Sequence, residues 1–84
     1  MITDEIKHKI EQALPGARVD ITNKSSQHIG HDAGGAHLGV TVKYTGFKGK
    51  TMVEQHQMIY AILKEEMKQK IHALVIKTEI LQGV

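Results

Sequence analysis

The sequence predicts an α+β domain in the order α-β-β-α-β: a three-stranded mixed sheet with its helices packed on one face. Three observations carry this. Two stretches repeat apolar residues at helical spacing, three others carry strand-like apolar patterns, and Gly or Pro breaks the chain between the first four of them. The last strand follows a helix, and a strand-helix-strand series favours a right-handed parallel crossover. The third strand should therefore run parallel to the second.

Thr3 suits a helix cap, with Asp4 and Glu5 in the first turn, where negative charge complements the helix dipole. Ile6, Ile10, Ala13 and Leu14 form one apolar stripe, and Pro15-Gly16 ends it. The first helix spans residues 3–14. Ala17-Arg18-Val19-Asp20-Ile21-Thr22 alternates as a half-buried strand does. The run from His37 to Tyr44 alternates again, with Leu38, Val40, Val42 and Tyr44 on one face. These two strands should pair antiparallel. Thr51 and Glu54 make a T-x-x-E capping box, and the helix behind it runs to about Lys68. Met52, His56, Ile59, Leu63 and Met67 form its apolar face, with Tyr60 beside them. The last strand is Ile71–Lys77. The whole, residues 1–84, reads as one domain, with a flexible His/Gly loop at 28–36 and a frayed tail at 79–84.

The chain has 84 residues and no cysteine, so one small core must hold the fold without a disulfide. Any sulfur-ligated group would need its sulfur from another molecule. The start Met1-Ile2-Thr3-Asp4-Glu5 lacks the apolar run of a signal peptide. No stretch reaches the roughly 20 apolar residues of a membrane helix. A cytoplasmic protein, monomeric when free, is expected. Net charge is +2, with seven lysines against four glutamates beyond residue 42. That half has no arginine, the residue that makes most bidentate base contacts.

The chemistry concentrates in the loop between the first two strands. His28-x-x-His31, Asp32 and His37 lie among glycines, and imidazole is the commonest ligand for borderline metals. Zinc or copper held by His28, His31 and His37 is one reading. A solvated polar loop is the other. His72 opens the last strand, at the sheet edge that the loop would also occupy. A lone histidine there is more often a hydrogen-bonded structural residue than a ligand. His56 lies on the expected buried face of the second helix and reads as a core or supporting residue, while His8 should be solvated. Gly46-Phe47-Lys48-Gly49 matches G-x-x-G, the loop that clamps nucleic-acid backbones in KH domains, and Lys48 and Lys50 add charge. The competing reading is a turn with Phe47 tucked into the core. The carboxylates fall on helix caps or polar faces, and no nucleophile sits in a catalytic setting, so an enzyme is not expected.

Five segments in order resemble the BolA family. They are Ser25-Ser26-Gln27-His28, His37-Leu38-Gly39-Val40-Thr41-Val42, Phe47-Lys48-Gly49-Lys50, Val53 to Tyr60, and Ile71-His72-Ala73-Leu74-Val75-Ile76-Lys77-Thr78. The family patterns are S-x-x-H, H-F-x-V-x-V, F-x-G-K, V-x-R-H-R-x-V-Y and V-H-A-L-x-I. The resemblance covers the chain from Leu14 to Thr78. It implies a KH-like fold of class II and partnership with a monothiol glutaredoxin. It also implies a [2Fe-2S] cluster shared with the glutaredoxin cysteine and glutathione, with no cofactor in the isolated chain. His72 would be one ligand. His28 matches the loop ligand by position, and His31 lies near enough to substitute. Some family members are described as transcriptional regulators linked to stress and cell shape. DNA is therefore the alternative partner, through Gly46, Lys48, Gly49 and Lys50. The family's R-H-R is Gln55-His56-Gln57 here, which removes two positive charges from that proposed face. The usual T-P-x-E-W ending is replaced by Thr78-Glu79-Ile80-Leu81-Gln82.

Overall fold

The apolar stripe of the first helix docks it against a sheet. α1 (Ile2–Ala13) buries Ile6 and Ile10, and Leu14 follows them into the core. The computed structural model describes residues 2–24 and 36–82. α1 begins one residue ahead of the expected cap, so Thr3 lies inside the first turn. Ile2 packs against the core, and that contact draws it into the helix. Gly16 closes the element at φ +88°, a left-handed conformation that glycine alone adopts without steric cost.

β1 (Arg18–Asn23) pairs antiparallel with β2 (Ala36–Tyr44), and β2 pairs in parallel with β3 (Ile71–Ile80). The sheet order is β1-β2-β3, the mixed sheet the sequence predicts. Val19, Leu38, Val40 and Val42 bury one face of it against α1 and the second helical segment. β3 reaches Ile80, three residues past the expected end at Lys77. Thr78 faces inward there, opposite Val42, and is buried although polar. Leu81 then donates its N–H to the Tyr44 carbonyl at 3.2 Å. Residues 79 to 81 are thus tied to β2 rather than frayed.

A one-turn 3₁₀ helix (Thr45–Phe47) buries Phe47 completely and stands its ring edge-on to Tyr44, centroids 5.4 Å apart. The capping box forms as predicted: Thr51 N–H donates to Glu54 Oε1 at 2.8 Å, and Glu54 N–H donates to Thr51 Oγ1 at 3.1 Å. The first of these bonds holds the Glu54 carboxyl below its ordinary value.

The long helix expected to about Lys68 is two helices. α2 (Met52–Ile62) and α3 (Lys64–Gln69) meet at Leu63, whose φ of −100° and ψ of 17° leave the helical region. The break lets Leu63 fill the core while α3 turns Glu66 toward α1. There Lys9 Nζ donates to both Glu66 carboxylate oxygens, at 2.7 and 2.8 Å. Lys70, just past the end of α3, makes a second, exposed tie to Glu5 of α1 at 2.6 Å.

The inward face of α2 also differs from expectation. Gln55, Ile59 and Leu63 are buried four residues apart, whereas Met52 is 58 % exposed and His56 only half-buried. An apolar pattern cannot assign the inward place to a glutamine. Gln55 holds it because both ends of its amide are hydrogen-bonded.

The Glu66 contact sets an acid response. The Lys9 hydrogen bond holds the Glu66 carboxyl below its ordinary 4.5. A carboxyl depressed by folding stabilises the fold above its unfolded value, and that stability is lost as pH falls through the lower folded value. Chemical denaturation from pH 6 down to pH 3 should therefore show a loss that is smaller in Glu66→Gln. Because Lys9 is substantially solvated, the difference should stay below about 1 kcal/mol. Identical pH profiles for the two proteins would refute it.

Candidate metal centre at the sheet edge

The register of β2 and β3 explains how the two described sheet histidines meet. Ala36 lies opposite Ile71, but His37 lies opposite Ala73, so β3 carries one extra residue at this step. That residue is His72. Ile71 is buried in the core, and Leu74 and Ile76 pack against the same core. In a regular strand, residues 71 and 74 would face opposite sides. The bulge shifts the parity, so both reach the core and His72 is left exposed. Its ring centroid lies 5.0 Å from that of His37, with the planes inclined at 40°. His37 precedes buried Leu38 on β2 and so faces away from the helices.

The surroundings of the pair are set by backbone. Lys24 N–H donates to the His37 carbonyl at 2.7 Å, extending the β1–β2 ladder by one residue. The Lys24 side chain lies across Gly39, where an added Cβ would stand 3.2 Å from its Cε. The segment joining β1 to β2 thus leaves and re-enters the sheet beside His37 and His72. His28 and His31, the loop ligands suggested by the sequence, lie outside the described residues, as does the His/Gly loop between Ser25 and Gly35. His37 is half-buried with its Nε2 covered. The value of His37 as a neighbour of His72 was hidden from strand alternation, which has no place for a bulge. Among the described residues, no three His, Cys, Asp or Glu side chains converge where a metal could be held. His37 and His72 together present two imidazoles and no more.

His56 is half-buried on α2, and its Nε2 is buried with no hydrogen-bond partner among the described residues. His8 is exposed on α1.

The G-x-x-G turn stands at the other end of β2. Lys48 and Lys50 are exposed there. Both glycines have structural reasons to be glycine. A Cβ on Gly46 would collide with the Tyr44 ring, and Gly49 adopts φ +83°. Gln55, counted in the sequence as a lost charge on this face, is only 6 % exposed and does not belong to any face. Thr78 Oγ1 donates to its Oε1 at 2.5 Å, and its Nε2 donates to the Lys50 carbonyl at 3.0 Å. One side chain thereby fastens α2 to both β3 and the turn. Gln55→Ala should cost about 1–3 kcal/mol, since it strands a buried hydroxyl and a carbonyl. A denaturation midpoint equal to that of the parent chain would show that water replaces the amide at no cost.

Comparison with known proteins agrees with this architecture. The family model described as BolA-like protein matches residues 10–82. SufE-like protein 1, chloroplastic/mitochondrial, of Arabidopsis thaliana is 33 % identical over 84 % of this chain, which spans 21 % of that protein's length. The DNA-binding transcriptional regulator BolA of Escherichia coli is 28 % identical, covering 93 % of this chain and 74 % of its own. The solved BolA domain of SufE1 from Arabidopsis thaliana superposes with a TM-score of 0.82 at 32 % identity, over 94 % of this chain and 91 % of that one. Sequence, element order and structural likeness converge, and the chain belongs to the BolA-like family.

Proposed function

We propose that this chain is a binding adaptor that pairs with a monothiol glutaredoxin and co-ligates a [2Fe-2S] cluster through His72 and a histidine of the β1–β2 segment, His28 or His31. The observation that supports it is the placement of His72. An exposed imidazole stands at a bulge, beside the two points where that segment joins the sheet. The donor chemistry fits the group. The chain has imidazole but no thiol, so its share is nitrogen only, as in centres where two histidines replace two cysteines on one iron. Sulfur must come from the glutaredoxin cysteine and from glutathione. When bound, the cluster supplies one-electron redox chemistry and a transferable unit of iron and sulfur. The chain's own residues bind and orient. The sheet backbone fixes the position of His72, and imidazole ligation raises the potential relative to thiolate.

Reconstitution of the two proteins with glutathione, iron and sulfide tests this. The expected result is a mixed complex whose visible circular dichroism and reduced-state EPR differ from those of the glutaredoxin homodimer. A spectrum identical to the homodimer's, or no complex, overturns the reading.

A second reading is a DNA-binding regulator. The name of the Escherichia coli relative and the exposure of Lys48 and Lys50 favour it. It expects binding that weakens with salt and when both lysines are neutralised. Gel shifts with no sequence preference at physiological salt would remove it.

A further inference from the structure

We propose that this chain pairs with a second copy of itself through the outer edge of β3, joining two sheets into one across a two-fold axis at Thr78. β3 ends the sheet order, so among the described residues no strand pairs with its outer side. Alternate residues of a strand turn their N–H and C=O groups to opposite edges. Leu81 N–H is turned to the Tyr44 carbonyl, and the register from Ala73 to Ile80 is unbroken. The backbone groups of Ile76, Thr78 and Ile80 therefore point outward. A long exposed edge of this kind is a template for another strand.

The side chains say which strand fits. Residues 75–81, Val-Ile-Lys-Thr-Glu-Ile-Leu, complement themselves when run antiparallel about Thr78. On the face away from the helices, Val75 of one copy comes opposite Leu81 of the other, and Lys77 opposite Glu79, each contact occurring twice. On the helix side, Ile76 comes opposite Ile80. Val75 and Ile80 are 62 % and 43 % exposed in the single chain, and Lys77 and Glu79 are exposed beside them. Exposed Met52 has its Sδ 3.4 Å from Thr78 Oγ1, so its two copies would flank the axis. Opposite charges directly across an antiparallel pair stabilise it, and like charges oppose it. An axis at Lys77 or Glu79 would set like charges against each other, and one at Ile76 or Ile80 would set a charge against an apolar side chain. Thr78 is thus the position that satisfies both charges. The contact is isologous and closes at two copies. Glu79, Ile80 and Leu81 belong to the ending that departs from the family pattern, so the extension of β3 past Thr78 supplies half of the complement.

The proposal shares no residue with the cluster ligands and does not rest on that reading. It replaces the expected monomer with a concentration-dependent equilibrium, weak because one added strand makes a small interface. The test is sedimentation velocity of the full chain from micromolar to millimolar concentration, with the fold of every variant checked by far-UV circular dichroism. A reversible monomer–dimer equilibrium is expected. Lys77→Glu and Glu79→Lys should each weaken the dimer by more than about fivefold, because two attractive contacts become two repulsive ones. An equimolar mixture of these two variants should restore it, since each then meets the opposite charge in the other. The double variant Lys77→Glu/Glu79→Lys should restore it as well. Ile80→Pro should abolish pairing and keep the β2–β3 ladder, because the N–H it removes points outward. A chain that stays monomeric throughout the series overturns the proposal, and so does a dimer indifferent to the single reversals. A mixture no more associated than its components, or a species larger than a dimer, also overturns it.

Discussion

Replacing His72 by Ala is expected to abolish the histidine-ligated cluster proposed for the mixed complex while leaving the fold unchanged. The two halves of that expectation have separate causes. The His72 side chain is exposed, and substitutions of exposed side chains usually change stability by less than about 0.5 kcal/mol. The bulge itself is held by the flanking Ala36–Ile71 and His37–Ala73 pairs, which need no imidazole. Ligation depends on the imidazole itself, since the chain contains no thiolate to take its place on the iron. The visible circular dichroism of the mixture should then collapse to that of the glutaredoxin homodimer. His56→Ala should behave in the opposite way, lowering stability through lost packing on α2 while the cluster spectrum persists. If the spectrum of the His72→Ala complex matches the parent's, another side chain holds the iron and the ligand assignment is wrong.

What the chain reveals before folding follows from which interactions are local. The capping box of Thr51 and Glu54 lies within one turn, and it forms as read. The alternation of Leu38, Val40 and Val42 is a two-residue period, and all three are buried. The pairings that escape sequence reading are long-range. Gln55 looks like a surface residue until Thr78 and the Lys50 carbonyl are brought to it. Glu66 looks like one of several exposed acids until α3 turns it toward Lys9. The bulge at His72 is the sharpest case. Alternation puts Ile71 and Leu74 on opposite faces, yet the core takes both, and the extra residue that reconciles them is the histidine itself. The motif order singles out His72, but only the fold shows that its described neighbour is His37. The β1–β2 segment contributes nothing further, since His28 and His31 lie outside the described residues.

Phe47→Ala should be among the most damaging single substitutions, and it decides what the G-x-x-G turn is for. Phe47 is fully buried, is the only phenylalanine in the chain, and packs edge-on against Tyr44. Truncating a buried phenylalanine costs about 3–5 kcal/mol, from lost transfer energy and the cavity left behind. Small domains are stable by only about 5–15 kcal/mol in total, so a large share of the fold's stability would go. The melting temperature should fall by more than about 10 °C, since each kcal/mol is worth roughly 4–8 °C at this size. Lys48→Ala and Lys50→Ala should leave it nearly unmoved, because both side chains are exposed and neither makes an ion pair among the described contacts. The residues of this turn thus separate into a buried anchor and two exposed cations. A thermal melt of all three variants distinguishes the cases. A small shift for Phe47→Ala would mean the turn is held by its glycines and by Gln55. Large shifts for the lysine variants would mean that their charges serve the fold, leaving them unavailable as a nucleic-acid surface.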